Sequence, residues 1–198
     1  MRSMINAMPS RRANRLARFA KDDRGTTAIE FAMVIGPFLF LLFGIISVGF
    51  YFFVTFSLEH AVETASRVIR TGQAQDSSGG KTPLTVTTFK AKICEALPPF
   101  MACGTSTDKI RVNVQTYTGY GSVNPPSCVD NAGALIPTAS QIYAPGGTSS
   151  IVLVGVCYEW ELSKSMASIP YWIAPQSARM TNGSTLIQAA TTFTNEPF

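Results

Sequence analysis

Arg24-Gly25-Thr26-Thr27-Ala28-Ile29-Glu30-Phe31 leads without a break into an apolar run that ends at Leu58. Residues 31–58 make up 28 positions with no charge among them. A helix needs only about 20 apolar residues to cross the hydrocarbon core of a bilayer, so this run reads as a membrane-spanning helix. One carboxylate, Glu30, stands directly before the run, five positions after Gly25, and an arginine-bearing stretch lies behind that glycine.

Residues 1–24 contain seven Lys or Arg against two Asp, while the rest of the chain is close to balance, so the net charge of +4 is concentrated before the span. Basic residues beside a span are retained on the cytoplasmic side. The expected arrangement is a single pass with residues 1–25 inside and about 140 residues beyond Leu58 on the far side. Arg11, Arg12, Arg15 and Arg18 have no interleaved aromatics and no folded basic domain around them, which argues against nucleic acid as a partner. With Leu16 and Phe19 they fit a short amphipathic helix on anionic headgroups. A cleaved secretory signal has an apolar region of only about 7–15 residues, and this run is too long for one. Phe50, Tyr51, Phe52, Phe53 and Phe56 near its end are expected to form an aromatic belt at the membrane–water boundary.

Two readings fit Glu30. In the local one, Thr27 and Glu30 form a capping box at the helix start, and the carboxylate faces the positive end of the helix dipole. In the other, cleavage after Gly25 leaves Thr26 with a free ammonium and makes Glu30 the fifth residue of the mature chain. The ammonium of one subunit then neutralises Glu30 of its neighbour, because an acidic side chain is costly at a span unless it is paired.

The segment RGTTAIEFAMVIGPFLFLLFGIISVGFYFF, continued by RVIRTGQAQ, resembles the TadE-like family, the pseudopilins and minor pilins of the Tad (Flp, tight-adherence) type IV pilus assembly system. Weaker similarity extends to the Cys94–Cys103 loop, to Tyr158-Glu159-Trp160 and to Thr194-Asn195-Glu196-Pro197-Phe198. The resemblance implies that Gly25 is the last leader residue, Thr26 the mature N-terminus, and Glu30-Phe31 the pair read by a prepilin peptidase. It implies a bacterial inner-membrane protein with a periplasmic C-terminal head. The implied partners are that peptidase, a sister pseudopilin, the major Flp pilin and the inner-membrane pilus platform. The Pro37 ring early in the helix removes a backbone donor and is expected to kink or loosen it locally, a weakness that extraction into an assembly can use; the alternative is the ordinary tolerance of proline in membrane helices.

The expected fold is α+β and pilin-like, with a long transmembrane helix continuing into the periplasm and a small antiparallel sheet with a packing helix. Residues 1–25 are the basic leader, 26–72 the spanning and juxtamembrane helix, 73–81 a linker and 82–198 the head. Past Leu58 the helix carries Ala61, Val62, Ala65, Val68 and Ile69 on one face and stops at Gly72. Thr82 as N-cap and Pro83 at the first helical position open a second helix with Val86, Phe89, Ile93 and Leu97 at helical spacing, ended by Pro98-Pro99. Residues 109–117 alternate as a half-buried strand, with Ile110, Val112 and Val114 opposite Lys109, Arg111, Asn113 and Gln115. Residues 151–160 are apolar on both faces and suit a central strand, and 186–193 supply the last one. The Gly, Pro, Asn and Ser-rich stretch 119–147 is expected to offer a variable contact surface. Residues 163–173 are expected to pack over the sheet as a short helix or flap.

Cys94, Cys103, Cys128 and Cys157 all lie beyond the span, where disulfides persist. Of the three pairings open to them, Cys94 with Cys103 is favoured, because one ends a helix and the other follows a short Pro-containing turn. Cys128 with Cys157 would pin the long loop to the central strand; alternatively Cys157 is only a buried small apolar residue. No CxxC occurs and His60 is the single histidine, so neither a metal site nor any cofactor is expected. With no HExxH, no phosphate-binding GxxxxGK[ST] and no GxSxG, the chain reads as a substrate of an enzyme and carries no catalytic residues of its own. The function expected is a minor pilin or pseudopilin processed after Gly25. The alternative is an uncleaved single-pass periplasmic binding or adhesion module that uses the 119–147 loop.

Overall fold

A computed structural model describes residues 26–75, 83–101, 109–161, 164 and 180–198. Helix α1 (Thr26–Arg70) is followed by helix α2 (Val86–Ala96) and strands β1 (Ile110–Tyr117), β2 (Ile151–Trp160) and β3 (Thr185–Thr194). This is the α+β arrangement the sequence predicts. The chain divides into two compact units, Met1–Ile46 and Ser47–Phe198.

The described part of the first unit is a helical segment with Pro37 inside it. Ile29, Phe31, Met33, Val34, Phe38 and Leu41 are all exposed. An all-round apolar helix with no protein cover is what a segment solvated by lipid looks like.

In the second unit the helix becomes one-sided. Val54, Leu58, Ala61, Val62, Ala65 and Ile69 are buried at spacings of three and four, which lays one stripe against the core. Gly72, with φ +77°, turns the chain out of the helix as expected. The amide of Ala74 then donates to the Val68 carbonyl at 3.0 Å, and Ala74 is fully buried. The beginning of the expected linker is therefore part of the packed unit; residues 76–81 lie outside the described residues.

α2 begins later than the sequence suggests. Its N-cap is Thr85, whose side chain accepts from the Thr88 amide while the Thr88 hydroxyl accepts from the Thr85 amide. Pro83 is not helical, and the expected cap Thr82 lies outside the described residues. The Leu84 amide donates to the Ala74 carbonyl at 2.9 Å, and that bond holds the approach to α2 extended. Phe89 and Ile93 are buried, and the helix ends at Leu97, before the two prolines.

The sheet is antiparallel, in the order β1-β2-β3. Register sets Ile110, Tyr158 and Ile187 in one row and Val112, Val156 and Ala189 in the next. Those rows belong to the same core as the α1 stripe, Phe89 and Ile93. β2 is central and almost wholly buried, as its composition predicts.

β1 departs from the half-buried expectation, because Arg111 and Asn113 are also buried. The 119–147 stretch folds back over that face. Arg111 Nε donates to the Ile136 carbonyl, and Asn113 Oδ1 accepts from the Ile142 amide at 3.0 Å. Along the outer edge of β1, Val114 donates to Ile142 and accepts from Ala144, both at 2.8 Å, forming a parallel bridge. The alternation of polar and apolar residues was real, but Arg111 and Asn113 of its polar set face loop backbone instead of water.

The loop has its own framework. Asp130 Oδ1 accepts from the amides of Ala132 and Ala134, both at 2.9 Å, and Val129 bridges Leu135. Cys128 is bonded to Cys157, and with Met180 and Leu186 the pair forms a second small core behind the sheet. The expected 163–173 flap lies outside the described residues except for Lys164.

Candidate functional site: the head of the spanning helix and its aromatic base

Thr26 is the first residue of α1, and Gly25 lies outside the described residues. Thr27 is helical and cannot serve as the N-cap, and Glu30 falls beyond the first turn, where there is no acidic residue. Both residues of the expected capping box therefore lie inside α1, and the box is not formed. Glu30 and Phe31 are both exposed. Among the described residues Glu30 makes no hydrogen bond or ion pair. Its carboxylate, beside an uncharged apolar surface, is open to a group from outside the chain.

At the other end of the apolar run, the expected aromatic belt divides. Phe50 and Tyr51 turn toward Trp160, at ring separations of 5.9 and 6.2 Å, whereas Phe52, Phe53 and Phe56 stay exposed. Phe100, from the turn after α2, joins them at 5.6 Å from Phe50 and 5.8 Å from Phe53. Rings at these separations attract one another beyond simple area burial. Neither Phe100 nor Trp160 was singled out by sequence for this cluster; both reach it through long-range packing.

The base of α1 is closed by the last residues of the sequence. Arg70 pairs with Glu196 at 3.2 Å, and its carbonyl accepts from the Glu196 amide at 2.9 Å. Asn195 Nδ2 donates to the carbonyls of Pro145 at 2.9 Å and Gly147 at 3.0 Å. The resemblance over residues 194–198 was the one sequence signal for this clasp.

Cys94 is disulfide-bonded, and its expected partner Cys103 lies outside the described residues. Glu159 accepts from Asn182 Nδ2 at 2.6 Å and Ser184 Oγ at 2.9 Å, so it ties two segments together. Glu161 lies just past β2 and is bonded to Lys109. That hydrogen bond, and then the nearby positive charges of Lys109 and Lys164, hold its carboxyl below the ordinary value.

These features fit a membrane-anchored protein with, among the described residues, one candidate span and an α+β head. Residues 25–67 match the family model described as TadE-like protein, so the chain carries a TadE-like domain over the segment that resembled one. That family is a pilus structural and assembly component, and the match supports involvement in a Tad pilus system. No curated protein matches the chain, and no solved structure does.

Proposed function

We propose that this protein is a minor pilin or pseudopilin of a Tad/Flp type IV pilus, inserted with residues 1–25 on the cytoplasmic side of the bacterial inner membrane and its head in the periplasm. A prepilin peptidase cleaves after Gly25. The new ammonium of Thr26 then meets Glu30 of a neighbouring subunit, where the low dielectric makes an unpaired carboxylate costly and a paired one directional. The sister pseudopilin, the major Flp pilin and the inner-membrane platform are the partners this reading requires. The observation that supports it most is one of position: the family match begins at Gly25, and the exposed Glu30 carboxylate, unpartnered among the described residues, follows five positions later on α1.

The test is the mature N-terminus, measured by mass in cells with and without the peptidase. Thr26 should be first in the former and the leader intact in the latter. A leader retained in both would replace this reading with the uncleaved binding or adhesion module. Glu30→Gln should leave membrane insertion intact and abolish piliation; normal piliation would remove the subunit contact.

A further inference from the structure

We infer that the head contacts the membrane a second time, through Phe100, whose ring inserts into the lipid boundary beside the emerging helix. Phe100 is 48% exposed, although its neighbour Met101 is buried at 2%. The Met101 amide donates to the Pro98 carbonyl at 2.9 Å, closing a turn that sinks one side chain into the core and presents the other outward. The turn includes Pro98-Pro99, whose fixed φ angles limit how far it can relax.

The occupant follows from what Phe100 adjoins. Its ring stacks on Phe53, which is itself half exposed, and sits beside Phe50. Phe52 and Phe56 continue the exposed aromatic surface along the same helix, with their rings 6.3 Å apart. About 20 residues counted from Phe31 bring a helix to the far side of the hydrocarbon, which is reached near Phe50. The rings at 50–56 therefore stand at the boundary where aromatic side chains collect. Phe100 extends that lipid-facing surface from a different part of the chain, and Trp160 braces it from behind through Phe50. A head held at two points is fixed in tilt relative to the bilayer, whereas one held by the helix alone is not. The inference rests on membrane anchoring and is independent of cleavage or pilus assembly.

The test uses the full chain reconstituted in phosphatidylethanolamine–phosphatidylglycerol vesicles, with flotation confirming insertion. Phe100→Trp and Tyr120→Trp are compared, each after subtraction of the parent emission; Tyr120 is an exposed head residue outside the aromatic cluster. Lipids brominated near the ester should quench the indole at position 100 about twofold or more beyond that at position 120, as expected of a ring at the boundary. Acrylamide should do the reverse. Equal quenching at the two positions would overturn the inference. Shielding from acrylamide without quenching by lipid would also overturn it, and would assign the patch to a neighbouring subunit. In the unmodified chain, spin-labelled lipid should broaden the Phe100 ring signals, so the result does not depend on the substitution folding. Failure to float would overturn the anchoring itself.

Discussion

The ring of Phe198 lies directly against Gly72, so closely that a Cβ on residue 72 would come within 2.3 Å of it. Gly72 also has φ +77°, where an L side chain is strained. Gly72→Ala should therefore destabilise the head by about 1–3 kcal/mol. Phe198→Ala in the same chain should recover the steric part and leave the backbone part. A double-mutant cycle by urea unfolding of the full chain in micelles measures the coupling, and strict additivity would refute the contact.

Neighbouring residues of the clasp should differ sharply in weight. The Arg70–Glu196 pair is exposed on both sides, 55% and 52%, so Glu196→Gln should change stability by less than about 1 kcal/mol. Asn195 is 2% exposed and donates to both the Pro145 and Gly147 carbonyls, which also accept from Gln75 Nε2 and the Ser150 amide. Asn195→Ala should cost about 1–3 kcal/mol, because it removes two buried hydrogen bonds at once, although each acceptor keeps one other donor. Thermal unfolding of the two variants side by side checks the order.

The Cys128–Cys157 bond spans a sequence separation of 29 and closes the loop onto the central strand. Replacing both by alanine should lower stability by about 3–4 kcal/mol in the chain-entropy account. Cleavage by a broad-specificity protease should then appear first within 129–136, the hairpin that depends on this bond for its seat. An unchanged digestion pattern would show that Asp130, the backbone bridges and the bonds from Arg111 and Thr181 hold the hairpin without the disulfide.

Tyr143 packs on Phe89 with ring centroids 5.9 Å apart, and its buried hydroxyl has no hydrogen-bond partner among the described residues. Burial pushes its pKa from an ordinary value near 10 up to about 12. The folded state thus favours the neutral phenol. The stability it contributes is complete below pH 10 and is lost as pH rises through about 12. Tyr158 is raised as well, by burial first and then by Glu161 and Glu159, and acts in the same direction. Tyr143→Phe should hold or gain up to about 1 kcal/mol at neutral pH by removing the orphaned hydroxyl. It should also soften the alkaline decline, leaving the share due to Tyr158. Unfolding midpoints measured from pH 8 to 12 would show both effects.

α1 and β2 were legible in sequence because each announces itself in composition: one by a long uncharged run, the other by apolar residues on both faces. The start of α2 was not, since Thr82-Pro83 and Thr85-Val86-Thr87-Thr88 both satisfy the local rules for a helix start. The choice between them falls to a hydrogen bond from Leu84 back to Ala74. Arg111 and Asn113 looked solvent-facing because the loop that covers them is itself polar and gives no periodic signal. At the candidate site Glu30 was readable as an isolated carboxylate, but its freedom from a local cap depends on where the helix begins. Phe100 and Trp160 entered the aromatic cluster through contacts between distant parts of the chain, which spacing cannot reveal.

The parallel lacing of Val114 to Ile142 and Ala144 has a topological consequence. One flank of the three-stranded sheet is already occupied by the chain's own loop, so a neighbour cannot add a strand there without first unzipping it. Strand exchange through β1 is barred on that side, which leaves β3 as the flank through which the sheet could be extended.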